Sequence, residues 1–504
     1  MRLLGLGKEQ EMSIIVLTAI VGLADPSVAR PAIDTGDDAL TQIEDLKRQM
    51  AAMEARHDAE IAALRSEYGD KWLTQARAME VSEFVGELLA DSETRSSLQG
   101  TGATAGWDKG FFLASADGNF KLTFVGLMQA RYAFNNQPPE NQVATPTSPI
   151  VVNQYGFEMR RVELEFLGYI MDPSWEYKIK LSFNSNNATV QTNDGAQTTS
   201  NAAVLEDAYV RKVLDNGFAL RVGQFKSNYD FEETISGGSL QFAERSLLNS
   251  YFSTKFIQGV QLEYQNDSIK ALVNFNDGGG NRNVSAIGTG NNVEWATAGR
   301  ADWKLFGDWK HFREFTSWRG NDASLMVGAA YNWQRGGSQN AFNPNFIGNS
   351  DGMNISYTAD ANWRWDGLSV FGAFLGNSYY AQANGAASVT SLGVILQGAY
   401  HLTDNLEAMA RFEYLNVSGG GATTVASTPS SINAQRFNIY TIGANYYISK
   451  NKVKLTADVG YVVGGILFSN GIYGQNIVGT DYRTDETSDA TGQVVARAQL
   501  QFAF

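Results

Sequence analysis

The fold is decided by a stretch of alternating apolar and polar residues, Phe120-Lys-Leu-Thr-Phe-Val-Gly-Leu-Met-Gln-Ala-Arg-Tyr-Ala-Phe134. One parity carries apolar residues such as Phe120 and Phe124, and the other carries polar residues such as Lys121 and Arg131. Successive side chains of a β-strand point to opposite faces. The stretch therefore predicts a strand with one apolar face and one polar face.

Similar stretches recur as far as Phe504, and we count about sixteen of them. A closed sheet of about sixteen strands encloses a lumen too wide for side chains to fill, so its apolar face must meet lipid. A sheet in a bilayer also has to close, because an open edge would leave backbone groups unpaired. The sequence thus predicts an all-β transmembrane barrel of about sixteen antiparallel strands with a polar interior.

Composition agrees with this fold, because 43% hydrophobic residues and a mean hydropathy of -0.24 suit a barrel that is apolar on one face only. The chain has no Cys and a formal net charge of -14. The lack of Cys is compatible with an oxidising compartment. The acidic balance, without a basic stripe, argues against nucleic acid as a partner.

The joints between the stretches alternate between short and long. The short ones are rich in Asp, Asn, Gly and Pro, as tight turns require; they are residues 171–174, 214–217, 265–268, 366–367, 403–405 and 449–451. The long ones are residues 135–156, 184–203, 227–255, 277–292, 334–356, 377–388, 417–434 and 464–493. Short turns belong on the periplasmic side and long loops outside, so both chain ends lie in the periplasm and the strand number must be even. One periplasmic joint, residues 306–320, is longer and aromatic, which predicts a small packed cap at the interface.

The N-terminal part predicts three further segments. Residues 1–29 have basic residues, an apolar run and a small-residue cleavage pattern, as an export signal does, although Glu9 and Glu11 also allow initiation at Met12. Residues 30–106 are predicted to form a periplasmic helical segment, with a short α-helical coiled coil and a flexible hinge at residues 100–106. The barrel domain then covers residues 107–504.

Several ordered motifs resemble one family, the phosphate-selective porins O and P. They are Gly156-Phe-Glu-Met-Arg-Arg161, Pro173-Ser-Trp-Glu-Tyr-Lys178, Leu205-Glu-Asp-Ala-Tyr-Val210, Arg221-Val-Gly-Gln-Phe-Lys226, Phe242-Ala-Glu-Arg245 and the stretch 107–122. The resemblance implies a trimeric, sixteen-stranded outer-membrane barrel that conducts small anions. It also implies that Phe504 serves as a C-terminal assembly signal.

Basic residues on the polar parity are the candidates for lining the pore and binding solute: Lys121, Arg131, Arg161, Lys178, Lys180, Arg211, Arg221, Lys226 and Arg245. Cations on a narrow low-dielectric wall attract anions. A simpler interpretation is also open, because acidic residues share these strands and can pair with the basic ones. The resemblance implies that the loop 227–255 folds inward and constricts the pore, with Tyr229, Asp230, Glu232, Glu233 and Glu244 setting its selectivity. The acidic residues in this loop argue against a preference for phosphate.

An enzymatic function has little support. The three His residues, His57, His311 and His401, have no Ser or carboxylate partner at a spacing typical of a triad. No metal-ligand spacing or cofactor motif is present, so we expect no catalytic residues, no metal and no cofactor.

Two functions therefore remain open. The first is a porin for passive diffusion of small hydrophilic solutes, including anions such as phosphate. The second is a structural outer-membrane protein that binds cell-wall material through residues 34–98. Both predict contact with outer-membrane lipid.

Overall fold

The computed structural model describes residues 103–138, 152–183, 203–278, 295–335, 352–380, 389–419, 435–464 and 491–504, together with the backbone of two short hairpins. The strands are β1 (Ala103–Trp107), β2 (Phe111–Ser115), β3 (Lys121–Asn136), β4 (Asn153–Tyr169), β5 (Trp175–Ser182), β6 (Thr189–Gln191), β7 (Gln197–Thr199), β8 (Val204–Val213), β9 (Phe218–Lys226), β10 (Phe256–Gln265), β11 (Ile269–Asn276), β12 (Trp295–Phe306), β13 (Ser324–Arg335), β14 (Met353–Trp365), β15 (Leu368–Tyr380), β16 (Val389–His401), β17 (Leu406–Gly419), β18 (Thr423–Val425), β19 (Thr428–Ser430), β20 (Gln435–Ser449), β21 (Val453–Val463) and β22 (Val494–Ala503).

Sixteen of these strands close into an antiparallel barrel, which confirms the predicted strand number. Each barrel strand pairs with the next one along the chain, with β6–β7 and β18–β19 forming separate hairpins. The last strand, β22, pairs with β3 from Leu127↔Ala503 to Asn136↔Val494 and closes the ring. Every edge within the ring is thereby paired, as a sheet in hydrocarbon requires.

The two faces of the strands differ as the alternation predicts. Outward-facing apolar side chains are exposed around the ring, for example Val222, Phe275 and Tyr440. On β3 the opposite parity is inside, where Gln129 and Arg131 are each 1% exposed. Within the described residues no helix is long and apolar enough to cross a membrane.

A hairpin precedes the barrel. Strand β1 pairs with β2, and β2 pairs with the first residues of β3, from Ala114↔Lys121 to Phe111↔Phe124. The predicted hinge at residues 100–106 is therefore wrong from Ala103 onward, because those residues form ladder hydrogen bonds. The predicted signal segment, coiled coil and cell-wall segment all lie outside the described residues.

The interior of the barrel is partly filled by two segments. One is residues 227–255, which we call the lumenal loop; it contains the short helices α1 (Phe231–Thr234) and α2 (Leu247–Phe252). The other is residues 306–320, which we call the capping segment; it contains a 3-10 turn at Trp309–Phe312. The capping segment is packed, as predicted, and it contacts the lumenal loop, because Phe315 N–H donates to the carbonyl of Ser239 (3.4 Å).

Candidate functional site: the barrel interior

The lumenal loop is held in shape by its own polar residues. Its base is closed by a hydrogen bond from Ser227 N–H to the carbonyl of Lys255 (3.0 Å). Asp230 caps α1 by accepting from Glu232 N–H (3.1 Å), and the other oxygen of Asp230 accepts from Asn249 in α2 (2.7 Å). The carboxylate of Asp230 thus joins the two helices. Its bond to α1 is a helix cap, which pairs a backbone N–H group that the start of a helix leaves unpaired.

The loop spans the lumen and is hydrogen-bonded to much of the wall. The strands that it reaches are β3, β4, β9, β12, β15, β16, β17, β20, β21 and β22. Glu413 on β17, for example, accepts from Leu247 N–H at the start of α2 (2.6 Å). The space left by the loop lies beside β8 to β12, whose residues line a cavity there.

Apolar packing fixes the loop against one side of the barrel. Phe231 of α1 contacts Phe315 of the capping segment and Phe371 of β15, with ring centroids 5.8 and 5.5 Å apart. Inward-facing apolar residues on β15 to β22, including Ile395 and Phe437, join the same buried cluster. The interior is thus not polar throughout, because the loop supplies an apolar surface that these strands bury.

The carboxylate of Glu244 in the loop binds three arginines. Arg131 and Arg161 lie 3.1 and 2.9 Å from its oxygens, and Arg160 donates to both of them. A β-bulge between β3 and β4 makes this possible, because the register shift at Gln129 and Ala130 turns both Arg160 and Arg161 inward. Arg131 also pairs with Glu158.

The charges of this cluster affect the ionisation of Glu244. Burial opposes ionisation of Glu244, but the three guanidinium groups outweigh it and hold the pKa of Glu244 well below its usual range. The three guanidinium groups share the carboxylates of Glu244 and Glu158. Arg160 keeps 11% of its side chain exposed, and Glu158 keeps 23%.

The other acids of the loop are engaged in holding it together. Burial alone would raise the pKa of Glu233, but Lys226 and Arg245 lower it to about 2. Arg245 also donates hydrogen bonds to the carbonyls of Glu232 and Ile235, and Lys226 forms an ion pair with Glu233. Both basic side chains therefore stabilise the conformation of the loop.

Two loop acids are poised differently. Burial raises the pKa of Glu232 to about 7, although Arg411 opposes this, and burial raises the pKa of Asp230 to about 6. Glu232 accepts hydrogen bonds from both the backbone N–H and the hydroxyl of Ser246. Tyr229 is buried, and its carbonyl accepts from Arg300 (3.3 Å). These residues are in the constricting loop, and they face loop and wall partners rather than open water.

On the wall beside the free space, basic residues alternate with acids. Lys180 lies 2.7 Å from Glu163 and 3.1 Å from Glu206, and Lys178 lies 3.1 Å from Glu165. Two arginines share a second group of acids. Arg211 binds Glu176 and Glu263, each at 2.7 Å, and Arg221 binds Glu263 at 2.7 Å. The basic residues on this part of the wall are therefore paired with acidic residues and do not form a continuous row of unpaired cations.

Not every predicted residue reaches this region. Lys121 lies at the start of β3, where its ammonium is 3.4 Å from Asp108 and above the ring of Phe112. It belongs to the rim near the β1–β2 hairpin. Arg160 was missed because strict alternation assigns it to the outer face, and only the doublet Arg160-Arg161 hinted at a bulge.

Cavities remain beneath the lumenal loop in the described part of the chain. One of about 560 Å³ lies between β3, β4, the loop and the capping segment, with Glu163, Glu165 and Lys310 in its lining. Another, of about 440 Å³, lies between β8–β12 and both segments. Within the described residues no group of three or more metal-ligating side chains could hold a metal ion.

Comparison with known proteins supports a channel. The family model for phosphate-selective porin O and P matches residues 143–462, which is more than half of the chain. No curated protein matches the sequence.

Several solved structures are similar at low identity. An anion-selective porin from Comamonas acidovorans is 11% identical, covers 76% of this chain and 99% of its own, and has a TM-score of 0.47. The trimer form of OmpT, an outer membrane protein of Vibrio cholerae, is 12% identical over 76% of this chain and 99% of its own, with a TM-score of 0.46. The outer membrane channel DcaP of Acinetobacter baumannii is 11% identical over 76% and 98%, with a TM-score of 0.47. On the family match, the chain belongs to the phosphate-selective porin O and P family and is an outer-membrane β-barrel that forms a channel for small solutes.

Proposed function

We propose that the protein is a porin for passive diffusion of small hydrophilic solutes, in which anions such as phosphate are favoured at one point. That point is the cluster of Arg131, Arg160 and Arg161 around Glu244. The observation that carries the proposal is the convergence of three guanidinium groups at the place where the lumenal loop crosses the barrel, with the side chain of Arg160 partly exposed. An anion that passes Arg160 meets a partly exposed guanidinium, and guanidinium groups bind phosphate oxygens well.

The remaining candidates have another role in this proposal. Lys178, Lys180, Arg211 and Arg221 are paired with acids, so they line the channel without adding net positive charge. Opposed charges across a narrow passage order water and small dipolar solutes, which suits a channel of modest selectivity.

The proposal is tested in planar bilayers containing the purified full chain. We expect stable unit conductance in KCl, and a reversal potential in a KCl gradient whose sign indicates a moderate preference for chloride. Replacing chloride by phosphate on one side should keep the sign. A sealed barrel would refute the channel, and a preference for potassium would refute the anion site while leaving a general porin.

From the family resemblance we also propose a homotrimer, and from the residue pattern we propose residues 1–29 as a cleaved signal and residues 30–102 as a helical periplasmic extension. Mass measurement of the detergent-solubilised protein tests the trimer, and N-terminal sequencing of the mature protein tests the cleavage site. A monomer, or an intact N-terminus, would contradict the respective proposal.

A further inference from the structure

The cavity of about 440 Å³ at the periplasmic side of the channel differs chemically from the rest of the lumen. It extends from Arg221 and Gln261 on the wall down to Gly217 and Gln265 at the periplasmic turns, so it lies along the space that the lumenal loop leaves free. Its volume is within the range of small-molecule sites and far exceeds what one phosphate fills.

One side of this cavity is apolar. Phe231 and Ile235 of the lumenal loop, Trp309 and Phe312 of the capping segment, and Leu272 and Met326 of the wall contribute to it. Most of these side chains belong to the buried apolar cluster, so the surface is preformed by packing.

Another part of the lining is cationic, and not all of its charges form ion pairs. Arg211 pairs with Glu176 and Glu263, Arg221 pairs with Glu263, and Arg300 pairs with Asp302 and Asp360. Lys270 and Arg313 also line the cavity, and in the part of the chain that the structure describes neither of them forms an ion pair. The ammonium of Lys270 lies 4.2 Å from the ring centre of Trp309, and that of Lys304 lies 5.4 Å from it.

A ligand that complements both sides carries a carboxylate on an apolar ring. Its carboxylate would face Lys270 and Arg313, and its ring would lie on Trp309 and Phe312, where aromatic contacts add to burial of apolar area. Inorganic phosphate satisfies the cations but leaves the apolar side in contact with water.

We propose that this cavity is a binding site for aromatic carboxylates on the permeation path. This inference rests on the proposed channel function, which it deepens by naming a class of solute.

The test uses the full chain in planar bilayers in KCl, with benzoate, acetate and inorganic phosphate as probes. Benzoate is expected to reduce the chloride-carried current at concentrations about tenfold below those needed for acetate or phosphate, because only benzoate uses both sides of the site. Lys270→Gln and Arg313→Gln, singly and together, should raise the half-blocking concentration of benzoate by about tenfold or more while the unit conductance persists.

The matched control is Lys212→Gln, because Lys212 faces outward over the ring of Trp175 and lies outside the cavity. It removes the same charge and should leave the benzoate block unchanged. Equal block by benzoate and acetate, or a block that survives both cavity substitutions, would overturn the aromatic carboxylate site. A barrel that conducts no ions at all would instead overturn the channel function itself, so the two failures are distinguishable.

Discussion

Neutralising Glu244 should make the channel more selective for anions. The substitution Glu244→Gln keeps the shape of the side chain but removes the carboxylate charge that Arg131, Arg160 and Arg161 share. The cluster then carries one more positive charge at the point where the lumenal loop crosses the barrel.

The size of the effect follows from Coulomb's law. A unit charge about 6 Å from a permeating ion changes its energy by about 0.7 kcal/mol in a medium with the dielectric constant of water. The change favours anions and disfavours cations, so the ratio of their occupancies rises by about tenfold, and by less when salt screens the charge. We therefore expect the permeability ratio of chloride to potassium to rise about three- to tenfold at low ionic strength.

The assay is the reversal potential of single channels in a KCl gradient at about 0.1 M salt on the dilute side. A suitable control is Asp404→Asn, because Asp404 is 87% exposed on a periplasmic turn and its loss removes one carboxylate far from the loop. The control should leave the reversal potential nearly unchanged. An unchanged potential in Glu244→Gln, or a shift toward potassium, would refute the role given to this cluster.

The same substitution should also loosen the loop. Breaking a buried ion pair by removing one partner costs about 3–5 kcal/mol, because it leaves a buried charge unpaired. The loop should therefore fluctuate, and open-channel current noise should increase in Glu244→Gln relative to the unmodified protein. The backbone carbonyl of Glu244 still accepts from Arg411 (3.0 Å), so the loop is expected to stay in the lumen.

Three further predictions concern the same interior. Burial raises the pKa of Asp230 to about 6 and that of Glu232 to about 7. Their neutral forms therefore stabilise the loop fully at a pH below their ordinary pKa values of 3.8 and 4.5, and this stabilisation is lost as the pH rises through about 6 and 7. Current noise should grow between about pH 5 and pH 8, and Glu232→Gln should weaken this pH dependence. Phe315→Ala should lower the free energy of unfolding by about 3–5 kcal/mol, measured by thermal denaturation in detergent, whereas Phe275→Ala on the outer surface should cost much less. Gly223→Ala should prevent assembly of the barrel, seen as loss of heat-modifiable mobility on gels, because Gly223 has φ +133° and an added Cβ would lie 2.3 Å from the carbonyl oxygen of Ala208; normal assembly would contradict that reasoning.

The strands and their faces could be predicted because alternation is a local property. On β3 the pattern places Gln129 and Arg131 inside, and both are buried there. Alternation cannot detect a bulge, which is why Arg160 is absent from the predicted pore-lining residues. The packing of the lumenal loop is also not local. Ile395 lies in the run Val394-Ile395-Leu396, in which inward-facing and outward-facing residues are all apolar. An apolar residue is possible on the inner face there because the lumenal loop covers it.

The types of residue in the candidate site could be predicted from the sequence, but the ion pairs and hydrogen bonds between them could not. The sequence shows that acids and bases share the strands, yet only the register tells that Lys180 meets Glu163 and Glu206. Likewise, the acids Glu232 and Glu233 are visible in the loop, but their use in holding it depends on Ser246, Lys226 and Arg245. Contacts between residues that are distant in sequence decide which charges reach the solute.

The closing pair of strands has a consequence for how the protein is made. Gln129 on β3 and Gln501 on β22 share a hydrogen bond across 372 positions of the chain, and the ring of Phe504 covers Gly126. The first strand of the ring therefore has no partner on one side until β22 has been synthesised. Pairing over such a separation is slow, and the unpaired edge is prone to aggregate. We therefore expect closure of the ring to be a late step of folding, and an extension fused after Phe504 to interfere with that step.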